Sequence, residues 1–146
     1  MSDRSYAQDF LEISQVKARY CRFLDTKDWA GYTDLFTEDV EFDLPPEGQP
    51  PIRGRDVAMR TIRSFVETAI TAHQVHNAEI RIEGDVAHVI WAMQDRVIWG
   101  PERANMQESG HTGYGHYFER YVRKDGRWRI AAQKLRYLVY DSYPRA

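Results

Sequence analysis

The chain has 146 residues, the size of one domain built on a single core. Lys plus Arg number 20 and Asp plus Glu 22, a net charge of −2 that excludes the basic stripe of a nucleic-acid binder and a polybasic membrane anchor. Cys21 is the only cysteine, so no intrachain disulfide and no cysteine-rich zinc site is possible; the polar N-terminus and the lack of a long apolar run point to a cytoplasmic protein without a membrane partner.

Residues 6–24 read as an amphipathic helix, with Ile13, Val16, Tyr20 and Leu24 on its apolar stripe, Phe10 and Phe23 beside them, and Ser5 or Asp3 as its cap. Asp28 can cap a short second helix with Trp29, Tyr32 and Leu35–Phe36 on one side. Val40, Phe42 and Leu44 alternate with acidic residues, the pattern of a half-buried strand. Residues 45–51 hold four of the six prolines and must be a loop. A third helix is predicted over 55–70, with Ala58, Ile62, Phe65, Val66 and Ala69 as its stripe. Strands follow. The apolar parity switches between His73/Val75 and Ile80/Ile82, which predicts a β-bulge near His76-Asn77-Ala78. Glu83-Gly84-Asp85 turns the chain into a strand over 86–99. A polar loop covers 100–110, a strand 111–123, a tight turn Asp125-Gly126, and a last strand 128–140.

Helices first and a run of adjacent strands afterwards is an α+β pattern in one domain, residues 1–146. The expected architecture is a cone: a strongly bent antiparallel sheet covered on one face by three helices. The strand over 86–99 is apolar on both faces, with Ala87, Val89, Trp91, Met93, Val97 and Trp99 on one and Val86, Ile90, Ala92 and Ile98 on the other. Helices can cover only one of these, so the outer face is expected to meet a second copy, in a dimer or trimer.

Asp95 breaks the apolar face of that strand. Burial there is expected to raise its pKa and suit it to proton transfer, although a structural pair with an arginine fits the sequence equally well. Tyr20 on the helix stripe is either core or a hydroxyl aimed into a cavity. Asp25 stands at a helix end, where it either makes a local turn or orients a histidine. His73 opens the sheet. The pairs His73/His76 and His111/His116 have the wrong parity for a metal site unless a bulge intervenes, and no metal or other cofactor is expected. The glycine-rich stretch Gly110-His-Thr-Gly-Tyr-Gly115 lacks the order and the strand-to-helix setting of a dinucleotide site.

Several segments together resemble one family. They are Tyr20-x4-Asp25-x2-Asp28-Trp29, Leu35-Phe36-Thr-Glu-Asp39-Val-Glu-Phe42, Gly54-Arg-Asp56, His73-Gln-Val-His-Asn77, Trp91-Ala-Met-Gln-Asp95-Arg, Gly113-Tyr-Gly-His-Tyr117 and Asp125-Gly-Arg-Trp128-Arg-Ile130. Over most of its length the chain resembles the SnoaL-like branch of the nuclear-transport-factor-two-like superfamily, which includes scytalone dehydratase, bile-acid 7α-dehydratase, lindane dehydrochlorinase and the β subunits of ring-hydroxylating dioxygenases. The resemblance implies a cofactor-free dehydratase or isomerase with Tyr20, Asp25, His73 and Asp95 as catalytic residues. His73 would take a proton next to a carbonyl, Asp25 would hold its ring, Tyr20 would donate to the enolate oxygen, and a protonated Asp95 would assist the leaving group. Phe65, Trp91, Met93 and Tyr117 would line a hydrophobic pocket for a steroid- or polyketide-like cyclic molecule. The other reading is a non-catalytic ligand-binding or assembly subunit. The complete polar set and the short stretch before the first helix favour the enzyme.

Overall fold

The computed structural model describes residues 5–145; Asp3, one of the two caps expected for the first helix, lies outside them. Ser5 is the cap: its hydroxyl accepts from the Gln8 N–H, and the Gln8 side chain accepts from the Ser5 N–H, a reciprocal capping box. The first helix, α1, runs Tyr6–Thr26 and ends at Lys27, whose left-handed φ of 61° stops it. Asp28 accepts from the Gly31 N–H and starts α2 (Trp29–Asp34). Phe36 belongs to the following strand rather than to α2, because it is buried at the head of β1 (Phe36–Asp43). The proline-rich loop leads to β2 (Ile52–Arg53) and α3 (Arg55–Val66).

The third helix is shorter than its stripe predicted. Ile70 is drawn into the sheet opposite Ile98, so β3 (Ile70–Glu83) begins where the helical period would have continued. The predicted bulge is present: the register of β3 on β4 (Val86–Ile98) shifts between His76 and Glu79, and Asn77 takes φ 49°. After a short 3₁₀ turn at Pro101–Arg103 come β5 (Glu108–Lys124) and β6 (Arg127–Pro144). They are joined by Asp125 and Gly126, both at positive φ, as a two-residue hairpin turn requires.

The six strands form one open sheet in the order β2-β1-β6-β5-β4-β3. All pairs are antiparallel except β1–β6, which is parallel, so the sheet is mixed at that edge. Bulges opposite Tyr114–Gly115 and Arg120–Tyr121, where β6 carries the extra residues Leu138 and Ala131, bend β6 and give the cone expected of this α+β fold. Helix α1 packs on β3 and β6, α2 on α1 and β1, and α3 on β1 and β2. The inner side chains of β4 are buried in strict alternation from Ala87 to Val97. Among the described residues no helix is long and apolar enough to cross a membrane.

Candidate active site

The helices close over only part of the sheet. Between α1, α3, the proline-rich loop, the later half of β4, the first ten residues of β5 and the second part of β6 remains a cavity of about 660 Å³, within the usual range for small-molecule sites of roughly 300–1,000 Å³. Apolar and aromatic side chains make most of its wall, among them Phe42, Leu44, Ile62, Val97 and Leu135, and Phe65 and Arg103 also line it. The Arg103 guanidinium lies 5.0 Å from the Phe65 ring centre and 5.1 Å from that of Trp99.

The left-handed turn at Lys27 brings the last turn of α1 against the start of β3. Three donors converge there on the Asp25 carboxylate. The Thr71 hydroxyl reaches Oδ1 at 2.9 Å, the His73 N–H reaches Oδ2 at 2.8 Å, and His73 Nδ1 lies 2.6 Å from Oδ1. A carboxylate only accepts, so Nδ1 carries the hydrogen and Nε2 keeps its lone pair. His73 itself lines the cavity. The Lys27 ammonium donates to Thr71 Oγ1 at 3.0 Å, which directs the Thr71 proton to Asp25. Burial lowers the Lys27 pKa, and the Asp25 charge partly offsets that. Asp25 and His73, 48 positions apart, thus form the hydrogen-bonded pair expected from the cone.

Asp95 pairs directly with His73 across β3 and β4 and faces the cavity, as its parity implied. Its ionisation differs from the expectation. Burial is the largest influence and pushes the carboxyl up, but His111, the Tyr137 hydroxyl and the charge of His73 together outweigh it. Asp95 is therefore held below the ordinary 3.8. Tyr137 is the firmer partner, donating to Oδ2 at 2.5 Å; His111 Nε2 stands 3.5 Å from Oδ1, close enough for charge attraction but not aligned as a hydrogen bond. A protonated Asp95 acting as an acid near neutral pH does not fit this environment. A depressed carboxyl pKa contributes stability that is complete above 3.8 and is lost as pH falls through the lower folded-state value. Asp95→Asn is therefore expected to flatten the acid limb of a melting-temperature profile below about pH 4. An acid limb identical to that of the wild type would show that Asp95 is not so held.

The Tyr20 hydroxyl lines the cavity and donates to Gln133 Oε1 at 3.1 Å. Burial pushes its pKa well up. Tyr32, not singled out from sequence, lines the same wall with a buried hydroxyl that has no hydrogen-bond partner among the described residues. It lies close enough to Tyr20 to feel its charge without an aligned hydrogen bond.

Of the four predicted pocket residues, Phe65 and Tyr117 line the cavity. Trp91 and Met93 do not. They share the inner face with Asp95, but they belong to the hydrophobic core rather than to the cavity wall, and the Trp91 indole donates to buried Glu119 Oε2 at 3.0 Å. Parity gives the face of a strand; it does not say which part of that face a helix covers. Tyr137 is a cavity residue that sequence reasoning missed; His111, which the sequence offers only as one of two sheet histidines of open register, lines the cavity as well. His111 pairs with Val97, which fixes the register that the sequence left open, and His116 pairs with Ala92 on the opposite face. Among the described residues no three His, Cys, Asp or Glu side chains are grouped as a metal site.

The sequence profile of the SnoaL-like domain matches residues 5–134, and the chain belongs to that family. Among solved structures it is similar to a protein of unknown function from Mycobacterium tuberculosis (Rv3472), at 28% identity and TM-score 0.74, over 88% of this chain and 71% of the other. It is also similar to a provisionally assigned scytalone dehydratase from Novosphingobium aromaticivorans, at 22% identity and TM-score 0.76, over 94% and 95% of the two chains. A hexachlorocyclohexane dehydrochlorinase of the LinA type from Novosphingobium barchaimii shares 15% identity at TM-score 0.76, over 93% and 90%. The last two likenesses are likenesses of fold. No curated protein matches the chain.

Proposed function

We propose that the protein is a cofactor-free lyase or isomerase that begins by removing a proton from the carbon beside a carbonyl of a hydrophobic cyclic molecule. The observation that carries this is the Asp25–His73 pair, closed at 2.6 Å, with His73 lining an otherwise largely apolar cavity. His73 Nε2 takes the proton. Asp25 keeps the ring in the required tautomer and stabilises the imidazolium that forms. Negative charge then develops on the carbonyl oxygen. Tyr32 takes the place expected of Tyr20 and supplies the hydrogen bond to that oxygen: the Tyr20 hydroxyl beside it is given to Gln133 Oε1, whereas the Tyr32 hydroxyl has no hydrogen-bond partner among the described residues. The apolar wall excludes water from the enolate and selects flat, greasy substrates of the steroid or polyketide kind. That two proteins of this fold are a dehydrochlorinase and a provisional dehydratase agrees with a reaction of this class.

The test is deuterium incorporation from D₂O into 1-decalone and a 3-ketosteroid, followed by mass spectrometry. The wild type is expected to exchange the α-hydrogens, and His73→Ala to slow the exchange by about 10²–10⁴-fold. No protein-dependent exchange into either ketone would refute the reading.

The outer face of the sheet supports self-association. Ile98, Tyr114, Phe118 and Val139 are all substantially exposed on neighbouring strands of that face. A homo-oligomer is expected, and light scattering at micromolar concentration should give a multiple of 17.2 kDa. A monomer mass would overturn it.

A further inference from the structure

Arg103 is the only lysine or arginine among the described residues that line the cavity. Of its five N–H donors, one reaches the Ser64 carbonyl at 3.1 Å and one the Met106 sulfur at 3.7 Å. Neither acceptor carries a full charge. Among the described residues no carboxylate forms an ion pair with it. The neighbouring Glu102 lies close enough to feel the charge but accepts from the Thr68 hydroxyl. Glu108 accepts from Trp99 Nε1 at 3.2 Å and from the Tyr140 hydroxyl at 3.4 Å. The Ser64 carbonyl belongs to the last turn of α3 and offers only the partial negative charge of a helix end. A cation beside a largely apolar wall gains most from an opposite charge, and the protein supplies none here.

The guanidinium is nevertheless held in place. The Phe65 and Trp99 rings lie against it at 5.0 and 5.1 Å. Met106 N–H and the Arg145 side chain donate to the Arg103 carbonyl at 3.0 and 2.9 Å, which ties down the loop that carries it. Arg145 itself does not line the cavity. Rings over a guanidinium cover its faces, so further polar contact falls to its N–H edge. That edge is a fork that fits a carboxylate with two parallel bonds. A single cation matches a group of single negative charge.

The register gives the distance from this fork to the base. His73 pairs with Asp95, and Trp99 stands four residues further along, just past the end of β4, where its N–H still bonds Ser109 O at 2.9 Å. At about 3.3 Å per residue, the ring that carries Arg103 is roughly 13 Å along the strand from the level of His73. A flat polycyclic molecule bridges that span.

We propose that Arg103 is a specificity-determining residue that binds a carboxylate at the far end of the substrate, so that the cavity takes a flat cyclic keto acid with its ketone at His73 and its carboxylate at Arg103. The proposal rests on the reading of the cavity as a site for a cyclic ketone and adds the charged end. The same contact orients the molecule. With the carboxylate on the fork, the opposite end, which bears the carbonyl and its α-hydrogens, is the one delivered to His73 Nε2.

The probes are 6-(4-carboxyphenyl)-1-tetralone and its carboxamide, which share one shape and differ in charge. Calorimetric titration measures binding, and α-deuterium exchange measures the reaction, for the wild type, Arg103→Met, Arg103→Lys and His73→Ala, with folding checked by thermal melts. The wild type is expected to bind the carboxylate about tenfold or more tighter than the carboxamide. Arg103→Met should bring that ratio to about one, and Arg103→Lys, which keeps the charge but not the fork, should fall between. His73→Ala should lose exchange and keep the ratio. A ratio near one in the wild type, a ratio that Arg103→Met leaves intact, or binding of neither probe would overturn the proposal. A wild type that exchanges both tetralones without preference keeps its base and sinks the role of Arg103. Carboxylate-selective binding that depends on Arg103, with no exchange, supports the carboxylate site and sinks the reading of His73.

Discussion

Asp25→Asn is expected to lower turnover by about 10²–10⁴-fold while leaving KM near its wild-type value. The Asp25 carboxylate accepts from three donors, the Thr71 hydroxyl, the His73 N–H and the His73 ring. An asparagine has one oxygen to offer them. If its NH₂ turns to the His73 ring, Nδ1 must accept and the ring hydrogen moves to Nε2, where the base needs a lone pair. If the NH₂ turns to the backbone instead, two donors face each other at the position where Oδ2 now accepts at 2.8 Å. Either outcome disables the base or displaces it, and neither alters the apolar wall that binds the substrate. Steady-state kinetics separates the two effects. Turnover within about threefold of the wild type would remove Asp25 from the mechanism.

How much of this site the sequence displays depends on the range of the interaction involved. Local chemistry is legible: the Ser5 box, the Asp28 cap, the bulge at Asn77 and the Asp125-Gly126 turn each depend on residues within a few positions. The Asp25–His73 pair spans 48 positions and was reached through the family resemblance, since nothing local to either residue requires the other. Where α3 stops is settled by competition with the sheet, which takes Ile70 for a partner on β4. Alternation places Trp91 and Met93 on the cavity face of β4 but does not give the extent of the helix above them, which makes them core. The ionisation of Asp95 is not legible because the sequence shows burial but not the donors, and Tyr137 stands 42 positions away. His111 is visible in the sequence only as one of two sheet histidines, because its place beside Asp95 is set by the pairing of β5 with β4.

Lys17 is the largest departure from what its residue type suggests, and Lys17→Met is expected to be the most destabilising single change. A lysine on a helix normally reaches water. This one is fully buried between the Tyr20 and Tyr117 rings, with Nζ 3.6 and 3.7 Å from their centres, and is ion-paired with Glu119. Glu119 in turn accepts from Gln133 Nε2 at 2.8 Å, Trp91 Nε1 at 3.0 Å and the Tyr121 hydroxyl at 2.6 Å. Methionine matches the lysine stem but leaves a buried carboxylate without its cation, a change that costs about 3–5 kcal/mol. At about 2–4 °C per kcal/mol for a chain of this size, the melting temperature should fall by roughly 6–20 °C. Adding Glu119→Gln removes the uncompensated charge and still offers an oxygen to Trp91 and Tyr121, so the double variant should melt above Lys17→Met alone. The same network reaches the cavity. Because a carboxylate only accepts, Glu119 forces Gln133 to present its NH₂, which turns Gln133 Oε1 to the Tyr20 hydroxyl. Glu119→Gln lifts that constraint, lets Gln133 reverse and frees the Tyr20 proton. Thermal melts of the two single variants, the double variant and the wild type measure the pair. A Lys17→Met protein melting within about 2 °C of the wild type would show that the core tolerates Glu119 without its cation.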